Sequence, residues 1–483
     1  MSRLTSATLD RLPRTIVSPL GRTEPTIGIV HFGPGAFHRA HQAVYVDDLL
    51  AQDPRWGIAA VSMRSKATVA ALAEQDGLYT LAIRDAAVSN RVIGAHRRFL
   101  GPDDAAETHA LLSDPAVRLV TSTVTEKGYC LAGDGTLDLS HADIVHDLAG
   151  TATPRSLVGW LVAGLAARRD AGIAPFVPMP CDNLANNGAK LHAALVAFAR
   201  QQDAERLSGG LADWIAGEVR VPSTMVDSIT PASDAALYAD VANAIGLEDQ
   251  AAVQRESFAQ WVIEDIAGGL GPDLGAVGAT LTTNVASYEK AKLRILNGAH
   301  STLAYVGLLR GAASVADAMQ DAVLGGFIDA MIQNDIIPML PSTPGLDLDA
   351  YRAAVLQRFR NPVIVHRLDQ IAQDGSQKLP YRLGDTLIAN RREGRMPAGI
   401  VTAFGAWVAF LMHRARAGTP IVDPAGTRLA DAAASGMPDE VVATLMDLSL
   451  GFPRELRGDA AVLGAVADAA ERIVRGDWSV LDR

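Results

Sequence analysis

The sequence predicts an α/β protein in two parts: a parallel sheet with flanking helices over residues 1–286, then a mostly α-helical domain over residues 287–483. Three observations carry that prediction. Short apolar runs alternate with helix-patterned segments in the first half, a glycine turn follows the first of those runs, and strand signals fade beyond Ser287. A chain of 483 residues also exceeds what one hydrophobic core usually serves, which favours two domains.

The candidate strands are Thr26–Phe32, Gly57–Met63, Leu119–Thr125 and Pro175–Met179, with helical patterns between them at Ala67–Gln75 and Arg155–Arg169. Strands separated by helices read as βαβ units feeding a parallel sheet. Val221–Thr230 and Trp261–Glu264 add further extended segments. In the second half, apolar residues recur at helical spacing in Tyr288–Leu309, Val315–Asp335, Leu348–Phe359, Pro362–Ala372, Ala398–Arg416 and Ala460–Arg475.

Composition excludes several functions. With 54 acidic against 43 basic residues the net charge is −11, and the basic residues are scattered, which argues against a nucleic-acid partner. The two cysteines, Cys130 and Cys181, form no CxxC pair, which argues against a disulfide framework or a cysteine zinc site. Residues 1–19 carry Arg3, Asp10, Arg11 and Arg14 and lack the apolar core of a signal peptide. The longest apolar run, Ala398–Met412, is short for a bilayer and contains Thr402 and Gly405, so it reads as a buried helix. The expectation is a cytoplasmic protein with no membrane partner, as a monomer or weak oligomer.

Thr26–Phe32 runs directly into Gly33-Pro34-Gly35-Ala36-Phe37-His38, and a helical stretch, Arg39–Leu50, follows. Strand, Gly-x-Gly, helix is the layout of a Rossmann-type dinucleotide site, in which backbone N–H groups and a helix N-terminus meet a pyrophosphate. Gly33 gives the tight turn, Gly35 leaves room for phosphate, and Ala36 and Phe37 open the helix. The third glycine of the fingerprint is replaced by His38. After the second strand, where a carboxylate would bond the adenosine ribose, the chain offers Met63-Arg64-Ser65-Lys66. The cofactor expected is NAD, with Arg64 leaving NADP possible.

The second candidate site lies on Tyr288–His300. At about 100° per residue, with Lys292 as zero, Glu289 falls near 60°, His300 near 80° and Asn297 near 140°. One sector thus gathers a base, an amide and an imidazole amid leucines, as an active site at a domain junction requires. Oxidising a secondary alcohol needs its hydroxyl proton removed, and a desolvated lysine can take it near neutral pH. Asn297 can stabilise the alkoxide, His300 can hold the substrate oxygen or orient Lys292, and Glu289 can pass the proton to solvent. The bland alternative is a solvated amphipathic helix. His31, His38 and His41 lack a completing carboxylate or cysteine, so no metal site is expected.

Seven ordered blocks carry a resemblance. They are Gly33–Gln42, Gln75–Thr80, Thr125–Tyr129, Cys181–Gly188, Pro222–Asp227, Lys292–His300 and Asp374–Pro380. Together they resemble the polyol-specific long-chain dehydrogenases, the group holding mannitol 2-dehydrogenase and fructuronate reductase. The resemblance implies a Rossmann-type domain, a helical C-terminal domain, and a catalytic lysine with no zinc. Its lysine, asparagine and histidine fall on Lys292, Asn297 and His300, and its relay glutamate on Glu289. A second oxyanion-pocket asparagine falls on Asn187 or Asn183, with Asn187 favoured, and a substrate aspartate on Asp227. Asp182 reads as a cap on the helix that follows. Where the family has Val-Asp-Arg-Ile, this chain has Val226-Asp227-Ser228-Ile229, so a local cation is lost.

The reaction expected is reversible oxidation of D-mannitol to D-fructose. The alternative is reduction of fructuronate to mannonate, whose carboxylate would call on a cation from Arg358, Lys378 or Arg382. A non-catalytic nucleotide-binding protein is the reading from a different class, and Lys292, Asn297 and His300 together argue against it.

Overall fold

The computed structural model describes all residues except 86–87, 207–208, 435 and 483. The chain divides into two compact units, Met1–Ala286 and Ser287–Arg483.

The N-terminal unit is built on a parallel five-stranded sheet. Its strands are β1 (Ile27–Phe32), β2 (Gly57–Val61), β5 (His96–Leu100), β6 (Leu119–Ser122) and β7 (Val177–Pro180), in the order β5-β2-β1-β6-β7. Central strands of such a sheet are covered on both faces, which is why β1, β2 and β6 are almost wholly buried. β7 contains Pro178 and Pro180, which cannot donate to a ladder, and it lies at the sheet edge. A hairpin of β3 (Tyr79–Ile83) and β4 (Ser89–Ile93) joins β9 (Val253–Arg255) in one small sheet. β8 (Thr224–Asp227), β10 (Gln260–Glu264) and β11 (Thr280–Thr282) make another.

Chain order reverses between β1 and β6: β2 follows β1 on one side, and β6 and β7 lie on the other. The carboxyl ends of strands at such a switch point form the crevice where open α/β sheets bind ligands. Gly33 and Thr123 directly follow those two strands.

The C-terminal unit is helical throughout. Ala398–Arg416, the apolar helix singled out in the sequence, is largely buried and packs along Ala460–Val474. Its first turn has no capping residue of its own; Asp335 Oδ2 accepts the Ile400 N–H at 3.0 Å instead. Pro362–Ala372, expected to be helical, forms only Leu368–Ile371. Pro362 and the β-branched run Val363-Ile364-Val365 disfavour a helix there.

Among the described residues, three stretches of this unit are π-helical: Lys292–Asn297, Ile332–Ile336 and Pro380–Gly384. π-helical turns are rare, usually single, and concentrated at functional sites. Two have a proline at hand, Pro338 just after one and Pro380 opening another. Proline lacks an N–H and clashes with the carbonyl four residues back, so a wider turn relieves both defects. The Lys292 and Pro380 segments pack on each other. Gly298 permits this, since a Cβ there would stand 3.2 Å from Arg382 O and 3.0 Å from Leu383 Cδ2.

Candidate active site

In the N-terminal unit the glycine turn is built as a cradle. Gly33 has φ +88°, and a Cβ on it would meet Thr123 O at 2.2 Å, so only glycine fits. Gly35 donates to Gly33 O at 2.7 Å. A Cβ on Gly35 would meet only Gly33 O, at 3.9 Å, which leaves open space over the turn for a phosphate. The helix Ala36–Ala40 starts on Gly35 with no side-chain cap, and a second helix, Gln42–Leu49, follows after a break at His41.

His38, in the place of the fingerprint's third glycine, packs inward. Its ring stacks on His31 with centroids 3.3 Å apart, and its Nε2 lies 3.0 Å from His96 Nε2. A third glycine would let the helix approach the strand closely; here the imidazole stack holds the two together. His31 Nε2 faces Gly33 O at 3.2 Å, a pure acceptor, so that nitrogen carries the proton and Nδ1 accepts from the Thr121 hydroxyl at 2.7 Å. Burial pulls His31 and His96 down to about 3 and holds His38 well below its usual range. All three are neutral structural groups.

The blocks Thr125–Tyr129 and Cys181–Gly188 meet around one carboxylate. Asp182 accepts from Val124 N at 3.1 Å, Thr125 N at 2.8 Å and Tyr129 Oη at 2.6 Å, with its pKa raised by burial. It does not cap the next helix, which begins at Asn187; it clamps the loop after β6. There Thr125 sits at φ +66°, a strained conformation for a β-branched residue.

Asn187 is fully buried. Its Nδ2 lies 2.9 Å from Thr224 O, 3.2 Å from Asp182 O and 3.4 Å from Pro180 O, while its Oδ1 accepts the Thr224 N–H at 2.9 Å. Both amide hydrogens face protein acceptors, so the side chain expected to serve an oxyanion pocket instead ties β7 to β8. Asn183 is exposed on the preceding loop. Asp227 is buried at the end of β8, and the neighbouring Ser228 spends its hydroxyl on Phe258 O at 2.9 Å.

Arg64 lines a cavity of ≈ 460 Å³ at the carboxyl ends of β2 and β5, with Gly101, Asp143, His146 and Arg155. Close by, Cys130, His141 and Asp143 offer one donor atom each within 4.8 Å of one another. Burial pushes the Cys130 thiol up to about 11, away from the thiolate that a zinc site uses. Moreover, His141 Nδ1 already accepts the Asp143 N–H at 3.2 Å.

In the C-terminal unit, Glu289 lies in the last turn of the helix Val285–Ala291, and Lys292 and Asn297 open and close the first π-helical stretch. This revises the expected angles. Five residues along an α-helix turn about 140° past full circle, whereas a turn closed by i→i+5 hydrogen bonds brings residues five apart to nearly one face. Lys292 and Asn297 are therefore closer in direction than the sequence suggested. Both are half-buried.

His300 follows in Gly298–Leu309, buried, with its ring 4.5 Å from Phe359 and 5.5 Å from His366. Burial and then the charge of Arg358 lower the His366 pKa. Lys378 sits two residues before the partner π stretch, donating to Gln373 O at 2.8 Å and pairing with Asp374 at 3.4 Å. Arg382, whose pKa burial lowers, donates to Ser301 Oγ at 3.0 Å. The sequence reading missed Phe359, His366 and the strained Thr125; none carries a local pattern that announces contact with a distant residue.

Two family models match in order, the mannitol dehydrogenase Rossmann domain over residues 27–270 and the mannitol dehydrogenase C-terminal domain over residues 284–474. The chain belongs to the mannitol dehydrogenase family. D-mannonate oxidoreductase of Escherichia coli (strain K12) is 36% identical, covering 92% of this chain and 93% of its own. Mannitol 2-dehydrogenase of Cereibacter sphaeroides is 38% identical, covering 87% of this chain and 89% of its own. The solved structure of Pseudomonas fluorescens mannitol 2-dehydrogenase, a ternary complex with NAD and D-mannitol, is similar with a TM-score of 0.80 and 32% identity, over 99% of each chain. The chain is thus an oxidoreductase of the mannitol dehydrogenase family, with a Rossmann domain followed by a helical one.

Proposed function

We propose that the chain oxidises D-mannitol at a secondary carbon to D-fructose, reversibly, with NAD as hydride acceptor and Lys292 as base. The observation that carries this is the π-helical stretch beginning at Lys292 and ending at Asn297, which turns a base and an amide donor to one side of one element. The Gly33–Gly35 cradle and the cavity beyond β2 fit a dinucleotide, with Gly33, Gly35, Ala36 and Phe37 at the pyrophosphate and Arg64 near the adenosine. When bound, NAD supplies the hydride acceptor.

The chain's own residues manage the proton. Lys292 Nζ takes the substrate hydroxyl proton, and the Asn297 amide donates to the oxygen as negative charge develops on it. His300, held by Phe359 and His366, steadies that oxygen, and Glu289 passes the proton from Lys292 to solvent. Asp227 and Asn183 hold substrate hydroxyls, and Asn187 positions the strand that carries Asp227. Because Lys292 provides the base, no zinc is required.

A second reading, oxidation of D-mannonate to fructuronate, is favoured by the buried Arg358 and the half-buried Arg382 with Lys378, which would suit a carboxylate. NADH formation with mannitol, arabinitol, sorbitol and mannonate separates the two. The first reading expects the highest kcat/KM on mannitol, and a mannonate preference would replace it with the second. A chelator is expected to leave turnover unchanged; loss of activity restored by added zinc would overturn the metal-free mechanism.

A further inference from the structure

The cavity beyond β2 holds an ion pair of which the dinucleotide reading uses only the arginine. Arg64 Nη2 lies 3.2 Å from Asp143 Oδ2, with the arginine side chain 76% exposed and the aspartate 22%. Arg64 follows the strand whose end commonly carries the ribose-binding carboxylate. Asp143 belongs to the helix Ala142–Leu148, far along the chain, yet it faces the same cavity. Arg155 lines it too, and among the described residues no carboxylate stands within ion-pair distance of Arg155.

We propose that Arg64 and Asp143 form a selector for the cofactor's adenosine 2′ position. Asp143 does from the facing helix what the missing carboxylate at the strand end would do: it accepts from the ribose 2′ and 3′ hydroxyls. The same oxygen holds the Arg64 guanidinium. A 2′-phosphate brings about two negative charges at neutral pH, which Asp143 repels and which Arg64 and Arg155 attract. The pair therefore admits both cofactors and favours the unphosphorylated one. Arg64 is exposed on a long flexible stem, so it can leave Asp143 for a phosphate without disturbing the sheet. Removing Asp143 releases Arg64 and tips the balance towards the phosphate.

The proposal rests on the dinucleotide reading of the N-terminal unit, and calorimetry with two probes separates the two claims. The probes are ADP-ribose and 2′-phospho-ADP-ribose, titrated into the full-length protein. Wild type is expected to bind both, with ADP-ribose the tighter. Asp143→Ala should weaken ADP-ribose and tighten the phosphorylated probe, each by about tenfold, the scale of one charge-assisted hydrogen bond. Arg64→Ala should weaken the phosphorylated probe by at least about tenfold, and ADP-ribose by a smaller factor.

In the double variant the gain from removing Asp143 should shrink to the part due to its direct repulsion of the phosphate, because the rest acts through Arg64. Asp143→Asn, which keeps the volume, gives the same direction if the alanine variant folds poorly. Binding of ADP-ribose by wild type, with the phosphorylated probe indifferent to both positions, would overturn the selector and leave the dinucleotide site standing. Failure of wild type to bind either probe would overturn both.

Discussion

The two units place their irregular structure differently. The N-terminal unit is built on a parallel sheet and places its strained residues in loops at the strand ends, Gly33 at φ +88° and Thr125 at φ +66°, beside the imidazoles that lock the first helix to the sheet. Among the described residues the C-terminal unit has no sheet; beside the left-handed Asp374 and Ser449 in its loops, it carries three π-helical stretches inside its helices. A loop cradle suits a ligand gripped by backbone, since glycine can bare N–H groups to it. A widened helical turn suits side-chain chemistry, because it redirects neighbouring side chains while the rigid helix continues on both sides. The comparison assigns cofactor binding to one unit and proton transfer to the other, and substitutions can test that division.

The largest expected effect falls in the C-terminal unit. Asn297→Ala should cut kcat by about 10²–10³, the cost of one oxyanion donor, while the melting temperature stays close to that of wild type. Steady-state kinetics with a thermal melt checks this; equal loss of stability and rate would make Asn297 a structural brace.

Acid should single out the N-terminal unit. Unfolded imidazoles take protons near pH 6.5, while the folded His31 and His96 resist protonation down to about 3. The unfolded state therefore binds more protons, and stability falls as pH drops below about 6.5 towards 3. His31 alone should cost about 3 kcal/mol by about pH 4. Denaturant melts across that range should show the loss, and His31→Asn should flatten it. A pH-independent stability would mean that the imidazoles take up protons in the fold as readily as in the unfolded chain.

Asn187→Ala removes a brace rather than a donor. It should destabilise the protein by about 1–3 kcal/mol, the cost of stranding buried partners, with activity lost in step with folded fraction. A wild-type melt with a collapse in kcat would return Asn187 to the oxyanion pocket. The smallest effect is expected at Gly298. A Cβ would press on Leu383 and Arg382 O, but alanine recovers up to about 1 kcal/mol of helix propensity. Gly298→Ala should leave stability nearly unchanged and slow turnover a few-fold by shifting the π-helical stretch.

These contrasts also explain which features the sequence disclosed. β1, β2, β6 and β7 were legible because buried parallel strands are unbroken apolar runs. β4 and β5 were not, since Ser89–Ile93 and His96–Leu100 carry Asn90, Arg91, Arg97 and Arg98, and an Arg-Arg pair on an edge strand looks like a solvated surface. Tyr288–Leu309 was correctly read as continuous helix, but a π-helical stretch changes the hydrogen-bond register without breaking the apolar pattern. Lys292, Asn297 and His300 could be named from their motif, yet the turn that orients the first two could not. Asn187 shows the converse: its motif pointed to chemistry, and its hydrogen bonds to Thr224 show a structural task.

The division of labour is tested most directly by titrating NAD into Lys292→Ala while following NADH formation from mannitol. The account predicts an NAD Kd within about twofold of wild type and turnover reduced by about 10²–10⁴, the contribution of a general base. Near-wild-type turnover, or loss of NAD binding together with activity, would contradict it.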